Sequence, residues 1–163
     1  METSDLKKFV SVLFGIKLMR FVIQRIKSAR LSVDGQLISE VGAGLMVFVG
    51  VMRDDTIEQV RHGAKKIATL RIFRRDGKLN ESVLDTKGEI LLVSNFTLCT
   101  REGSGARPDF SMSADKEKAN DLYHRLADEL DSLGVPVKMG VFGADMQIDA
   151  HIDGPLNIYK EIK

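Results

Sequence analysis

Residues whose types and spacing could do chemistry are concentrated in three short segments of the chain. The segment Ser94 to Thr97 ends a strongly apolar run, so its hydroxyl and amide groups must be hydrogen-bonded or line a cavity. The segment Gly140 to Gln147 alternates small with large apolar residues, which is typical of a close backbone approach or a bulge. The segment Asp153 to Pro155 contains an X-Pro bond, at which the cis form is accessible because the preference for trans is small. Taken singly, these segments are better interpreted as a strand end, a tight β-bend and a plain turn.

The side-chain sets that commonly catalyse hydrolysis are hard to assemble from this sequence. Of the three histidines, His62 and His124 fall at polar positions of predicted helices, and the third is His151. No cysteine–histidine cluster has the spacing of a zinc site, and no Walker A loop, dinucleotide fingerprint or nucleophile elbow occurs. The single cysteine, Cys99, cannot form an intrachain disulfide and is interpreted as a small packing residue. We therefore expect neither a metal nor a cofactor.

Length and charge limit the possible partners. A chain of 163 residues is the size of one domain, and no run is long and apolar enough to span a bilayer. Residues 1–18 only loosely mimic a signal peptide, so we expect them to form an extension outside a core of residues 19–163. The net charge of +1 lacks the basic excess of proteins that grip long nucleic acids, so an RNA contact should be confined to an end. Arg101 and Arg107, in a glycine-rich loop, are the candidates for a phosphate contact.

The elements that must position these residues follow from hydrophobic periodicity. Asp34-Gly35 predicts a hairpin, and the continuous apolar run 45–51 predicts a central strand buried on both faces. Strands are predicted at residues 20–26, 31–33, 37–38, 45–51, 70–73, 90–98, 137–141 and 145–152.

Two helices are predicted between these strands. Thr56 with Gln59 fits a capping box at the start of the first helix. Ser113 is the predicted N-cap of the second, which should end at Gly134. About eight strands and two long helices indicate a single-domain α/β or α+β fold with a mostly β core.

In their order and spacing, these segments resemble the D-aminoacyl-tRNA deacylase family. The likeness extends from Met19 to about Tyr159 and begins with an opening strand similar to that of the family. Ser94 to Leu98 is similar to the signature Ser-Gln-Phe-Thr-Leu, and Asp153 to Pro155 to the start of Asn/Asp-Gly-Pro-Val-Thr. Asn95 replaces the signature glutamine, and Leu156-Asn157 replaces Val-Thr; these departures concern the strictness of chirality and not the reaction.

The resemblance implies a homodimer with active sites at the subunit interface. The substrate would be aminoacyl-tRNA, bound by the end that carries the 3′-terminal adenosine. Hydrolysis of the ester would release a D-amino acid, or glycine from glycyl-tRNA mischarged on tRNA-Ala, as a proofreading step of translation in the cytoplasm. No cofactor, DNA or membrane partner is expected.

The same resemblance assigns catalytic roles to the first segment. The backbone N–H groups of Phe96 and Thr97 would stabilise the oxyanion, while Ser94 and Asn95 would place the ribose and adenine. Thr97 could instead be a nucleophile, but a threonine nucleophile needs an adjacent base and none is visible. The backbone role is therefore preferred.

A second group of residues is expected to select the substrate. Gly154 and Pro155, joined by a cis bond, would insert into the pocket of the other subunit and exclude an L side chain by shape. Arg25 would hold this loop by bonding a carbonyl, and Met146 and Gln147 would contribute to substrate binding.

Other functions remain open from the sequence. A non-catalytic binder of the tRNA acceptor end, a deacylase with relaxed chirality, a hydrolase of free esters or D-peptides, and an interaction protein are each compatible with parts of the pattern.

Overall fold

The computed structural model describes residues 18–101, 103 and 105–163, which form a mixed α+β fold. The strands are β1 (Arg20–Val33), β2 (Gln36–Val41), β3 (Gly44–Gly50), β4 (Phe73–Arg75), β5 (Lys78–Glu81), β6 (Glu89–Ser94), β7 (Val137–Met139) and β8 (Gln147–Glu161). The helices are α1 (Ile57–Thr69), α2 (Lys116–Ser132) and a short 3₁₀ helix (Phe96–Cys99). The predicted class, with its mostly β core and two long helices, is confirmed. No helix among the described residues is long and apolar enough to cross a membrane.

The long strand β1 organises the main sheet. β2 and β3 follow each other along one edge of β1, with Ala29 opposite Val41 and Ile26 opposite Gly44 in antiparallel register. β8 pairs antiparallel along the other edge of β1. β3 then pairs in parallel with β6, and β6 with β7, so β3 is the central strand that the apolar run 45–51 predicted.

Both long helices cover the same face of this sheet. The larger hydrophobic cluster contains alternate residues of the strands together with the buried stripes of α1 and α2. A smaller cluster lies on the opposite face, where no helix packs against it among the described residues. Phe48, Met146, Ile148 and Ile152 are only partly buried there. That face of the single chain is therefore apolar and incompletely covered.

Three predicted elements differ from the structure. The predicted strand 70–73 is wrong, because Leu70 caps α1 and Ile72 anchors a connection in the core, so β4 begins only at Phe73. The predicted strand 90–98 ends at Ser94, since the side chain of Asn95 caps a 3₁₀ helix instead.

The N-cap of the second helix is also different. Asp115 is the N-cap of α2, and its carboxylate accepts from the N–H of Lys118 at 2.9 Å. Ser113 lies two residues earlier, where it forms a single antiparallel bridge with Met52. A serine and an aspartate this close together both satisfy the sequence rule for N-caps.

The other local predictions are confirmed. Thr56 and Gln59 form the capping box of α1, and Gly134, at φ 94°, ends α2. Asp34 and Gly35 take positive φ in the predicted hairpin turn. The two predicted strands 20–26 and 31–33 are one continuous strand, β1. Of the predicted extension, residues 1–17 lie outside the described residues, and only Leu18 lies within them.

Asp55 is a fully buried acid next to the start of β1. Its carboxylate accepts from the N–H of Met19 at 2.8 Å and the N–H of Met52 at 2.7 Å. Burial raises the pKa of Asp55 from 3.8 to about 6, although the two N–H bonds oppose this shift. Because the folded chain keeps this proton over a pH range in which the unfolded chain has lost it, the contribution of Asp55 to stability declines as pH rises through that range.

We expect the Asp55→Asn variant to lack the pH dependence of stability that Asp55 contributes. A shift from 3.8 to about 6 corresponds to about 3 kcal/mol of unfolding free energy. Urea unfolding of both proteins at about pH 4 and about pH 7 measures it. The stability of the wild type relative to the variant should fall by most of that amount, about 2 kcal/mol, between the two pH values. A difference that does not change with pH contradicts the assignment.

Candidate active site

A cavity of about 630 Å³ opens beside the end of β6. Most of its wall is apolar, and its polar groups come from Ser94, Asn95, Ser113 and Lys116. The full set of lining residues is Phe48, Val51, Val93, Ser94, Asn95, Phe96, Ser113, Ala114, Lys116, Ala119, Phe142, Gly143, Ala144, Met146 and Ile148. An apolar pocket with a few convergent polar groups is typical of a substrate site.

The 3₁₀ helix at the cavity is held at its start by Asn95. The Asn95 side-chain oxygen accepts from the backbone N–H of Thr97 at 3.2 Å and from the Thr97 hydroxyl. The N–H of Asn95 itself donates to the Val49 carbonyl at 2.8 Å, which ties the helix to the central strand. This capping explains why the apolar strand turns at Asn95 instead of continuing.

These bonds decide what Thr97 can do. The Thr97 hydroxyl donates to an amide oxygen, which cannot serve as the base that a threonine nucleophile requires. The Thr97 backbone N–H is also occupied by Asn95. The N–H of Phe96 is the first in the 3₁₀ helix, and the first donors of a helix have no acceptor within it. Phe96, which lines the cavity, is therefore the candidate backbone donor.

The Phe96 ring lies at the mouth of the cavity. Phe96 is 57% exposed, and its ring meets that of Phe110 edge to face with the two centroids 5.1 Å apart. An exposed aromatic face next to a pocket is suited to stacking against a nucleobase.

Cys99 is confirmed as a packing residue. It is fully buried, its Sγ donates to the Val51 carbonyl at 3.4 Å, and burial raises the pKa of its thiol to about 11. A thiol that stays protonated is a poor nucleophile. In the described part of the chain, no group of three or more His, Cys, Asp or Glu side chains could hold a metal ion.

Residues Asp153 to Leu156 form a bulge in β8 opposite Arg25. Gln24 pairs with Asn157 and Ile26 with Ile152, so the four residues of the bulge face a single residue of β1. The Gly154–Pro155 bond in this bulge is cis. A plain turn before a separate last strand was the simpler interpretation of this segment, but β8 continues on both sides of it.

Arg25 anchors the bulge from the core. Its Nε donates to the Asp153 carbonyl at 3.2 Å and lies 3.0 Å from the Asp153 carboxylate, and its Nη1 donates to the Ile72 carbonyl at 2.7 Å. Arg25 is only 5% exposed, whereas Gly154 and Pro155 are both exposed. The buried arginine thus presents the Gly-Pro pair on the surface.

The structure brings some of the predicted site residues together and separates others. Ser94, Asn95, Phe96 and Met146 line the cavity. Thr97 does not line the cavity of its own chain. Neither do four other predicted site residues, which are Arg25, Gln147, Gly154 and Pro155. Gln147 is exposed at the start of β8, where it pairs with Ser32.

Leu156 and Asn157 follow the Gly-Pro pair in β8, and Asn157 pairs with Gln24 of β1. The Asn157 side-chain oxygen accepts from the amide of Gln24 at 2.8 Å, and Leu156 packs against the larger hydrophobic cluster. Neither residue lines the cavity.

Sequence patterns missed several residues of the cavity. Among the described residues, Lys116 is the charged residue that lines the cavity, and it is the first residue of α2. Ser113 was predicted only as a helix cap, and Phe48 only as a strand residue. The sequence feature that indicates this cavity is the pair Gly143 and Ala144. These two small residues interrupt the bulky segment Gly140 to Gln147, and both line the cavity.

The sequence is similar to known proteins along most of its length. A family described as D-Tyr-tRNA(Tyr) deacylase matches residues 22–161. The D-aminoacyl-tRNA deacylase of Fervidobacterium nodosum is 41% identical over 89% of this chain and 98% of its own. That of Carboxydothermus hydrogenoformans is 43% identical over 88% of this chain and 100% of its own.

A solved structure carries the same fold. The c-Myc DNA Unwinding Element Binding Protein superimposes with a TM-score of 0.84 at 36% identity, covering 88% of this chain and 99% of that protein.

Proposed function

This chain belongs to the D-Tyr-tRNA(Tyr) deacylase family, and on that premise we propose that it hydrolyses the ester that joins a D-amino acid to the 3′-terminal adenosine of tRNA. The curated relatives are named D-aminoacyl-tRNA deacylases, which are hydrolases of ester bonds. Removal of the misattached amino acid is a proofreading step of translation. The observation that carries the proposal is the cavity at the start of the 3₁₀ helix, where the first signature segment lies.

The chemistry can be carried out without a catalytic triad. An aminoacyl ester is activated, so its hydrolysis requires mainly a positioned water and stabilisation of the oxyanion. The water oxygen bonds to the carbonyl carbon, the Phe96 N–H donates to the resulting oxyanion, and the bond to the ribose oxygen then breaks. As the carbonyl re-forms, one proton of the attacking water passes to the ribose oxygen, which leaves as a hydroxyl, and the water oxygen remains in the carboxyl group of the released amino acid. Ser94 and the Asn95 amide group lie on the wall where they can hold the ribose and adenine.

We propose that the site is completed by a second copy of the chain. Gly154 and Pro155 are exposed and lie outside the cavity of their own chain, while Phe48, Met146 and Ile148 link that cavity to the incompletely covered sheet face. A homodimer formed through this face would bury its apolar residues. It would also allow the Gly-Pro pair of each subunit to enter the pocket of the other.

Exclusion by backbone atoms then explains the choice of substrate. The partner subunit's Gly154 and Pro155 would face the α-carbon of the substrate, so an L side chain would collide with them. A D side chain would point towards solvent, and glycine, having no side chain, would also fit. Glycyl-tRNA mischarged on tRNA-Ala therefore belongs to the proposed substrates. Because Asn157 bonds to Gln24 of β1 and Leu156 packs against the larger hydrophobic cluster, we do not expect them to relax this exclusion.

Deacylation assays test the proposed function. The protein is incubated with D-Tyr-tRNA, L-Tyr-tRNA and glycyl-tRNA-Ala, and loss of the acyl group is followed. We expect turnover of the first and third, with the L-substrate spared. Binding of D-Tyr-tRNA without turnover would support a non-catalytic binder of the acceptor end. Turnover that uncharged tRNA does not inhibit would instead favour a hydrolase of free esters or D-peptides.

The partner is expected to be an RNA end and not a DNA duplex, despite the name of the structural relative. A net charge of +1 does not favour contact with many phosphates of a long duplex. Charged tRNA is used where translation occurs, so we propose the cytoplasm as the location. Residues 19–163 form the proposed deacylase domain.

Thr97→Ala tests whether the Thr97 hydroxyl reacts. We expect kcat for D-Tyr-tRNA to stay within about threefold of the wild type, because the hydroxyl only supports the Asn95 cap. Single-turnover kinetics of the variant provide the measurement. If the folded variant is inactive, Thr97 is the nucleophile and the backbone mechanism is wrong.

A further inference from the structure

Arg20, the first residue of β1, contacts the far end of the 3₁₀ helix. Its Nη1 donates to the Leu98 carbonyl at 2.7 Å and to the Thr100 carbonyl at 2.9 Å. These carbonyls lie at the helix C-terminus, where a helix has no internal donors for them and where its dipole favours a cation. Arg20 is only 5% exposed, so water competes little for these bonds.

The 3₁₀ helix needs such an external support. A helix of four residues is too short to be stable by its own hydrogen bonds. Its internal bond from the Leu98 N–H to the Asn95 carbonyl is long, at 3.3 Å. Asn95 fixes the first turn and Arg20 fixes the last, so the orientation of the Phe96 N–H depends on both ends.

The sheet around Arg20 brings the 3₁₀ helix close to β3. Arg20 pairs with Gly50 on one side and with Glu161 on the other. A Cβ at Gly50 would lie 2.8 Å from Leu98 Cβ and 3.1 Å from Cys99 Sγ, so the 3₁₀ helix rests directly on this glycine.

Glu161 forms an ion pair with the guanidinium. Its Oε1 lies 3.3 Å from Arg20 Nε, without the geometry of a hydrogen bond, and accepts from the Tyr159 hydroxyl at 2.7 Å. Two groups of the guanidinium thus have different partners, the carbonyls and the carboxylate. A lysine has a single ammonium and cannot serve both in one fixed geometry.

We propose that Arg20 is a positioning residue for ester hydrolysis: by holding the Leu98 and Thr100 carbonyls, it fixes the 3₁₀ helix so that the Phe96 N–H points at the oxyanion. The inference rests on the proposed deacylase function. Arg20 touches neither substrate nor the reacting atoms, so its effect is on kcat and not on affinity for tRNA.

Arg20→Lys and Glu161→Gln form a matched pair for the test. Glu161→Gln removes the ion pair but leaves the bonds from Arg20 to the carbonyls. We expect Arg20→Lys to lower kcat for D-Tyr-tRNA by about 30-fold with KM within about twofold, and Glu161→Gln to keep kcat within about threefold. Amide exchange should rise at Phe96 to Cys99 in Arg20→Lys and stay low in Glu161→Gln.

A further variant distinguishes positioning from loss of fold. In Arg20→Ala, millimolar methylguanidinium should restore part of kcat without changing KM. If kcat of Arg20→Lys, per folded protein, is within about twofold of the wild type, or if kcat and KM change together, the proposal is wrong. A wild type without deacylase activity contradicts the proposed function itself, and the Arg20 proposal with it.

Discussion

The Gly154→Ala variant is expected to lose about 100-fold in kcat/KM for D-Tyr-tRNA while remaining folded. Gly154 has a φ of 135°, which L side chains rarely adopt. An added Cβ would lie 2.8 Å from the Leu156 backbone nitrogen and 3.1 Å from Arg25 Nη2. The bulge must therefore shift, and a shift of about 1 Å in a group that positions the substrate costs about 100-fold in rate.

The same shift should weaken chiral selection. A displaced Gly-Pro pair no longer excludes the L side chain at the same place, so the ratio of D- to L-Tyr-tRNA hydrolysis should decrease. Steady-state rates on both substrates, with a thermal unfolding midpoint, provide the measurement. Gly35→Ala is the control, because Gly35 also has positive φ, at 76°, and no atom lies within 4 Å of its added Cβ. If Gly154→Ala is as active and selective as Gly35→Ala, the Gly-Pro pair does not select the substrate.

Asn95→Ala should lower kcat by about 100-fold, the range for loss of one preorganised oxyanion donor. The variant removes the oxygen that accepts from the Thr97 N–H and hydroxyl, so the start of the 3₁₀ helix loses its cap. Loss of a cap costs about 1 kcal/mol of stability, which is too little to unfold a typical domain. The activity should therefore fall much more than the stability.

Thr56→Ala provides the comparison for that variant. Thr56 caps α1, and it is not among the residues that line the cavity, so its loss costs similar stability without disturbing the 3₁₀ helix. Single-turnover rates and urea unfolding of both variants separate the two effects. Equal activity losses per folded protein in the two variants would show that Asn95 has no special role. Asn95→Gln, which restores the family residue, should remain active.

Local sequence rules predicted much of the fold because they act over a few residues. The capping box at Thr56, the hairpin at Asp34-Gly35 and the end of α2 at Gly134 depend on neighbouring residues only. The strand through residues 90–98 was misjudged because one side chain, Asn95, ends it by bonding its own backbone. Apolar periodicity does not report such a bond.

The candidate site was harder to predict from the sequence than the fold. Ser94, Asn95, Phe96 and Met146 meet at one cavity, but Lys116 joins them only through the packing of α2. The bulge opposite Arg25 depends on the register between β1 and β8, which are far apart in sequence. Long-range pairing of this kind leaves no local pattern beyond the glycine and proline themselves.

A mixed dimer tests the central claim, that each active site combines the cavity of one subunit with the Gly-Pro pair of the other. Asn95→Ala and Gly154→Ala chains are produced together with different tags, and the mixed dimer is isolated by both tags. One of its two sites then combines an intact cavity with an intact Gly-Pro pair, so we expect about half of the wild-type activity on D-Tyr-tRNA. Activity of the mixed dimer no higher than that of either parent, or a protein that stays monomeric, would contradict the claim.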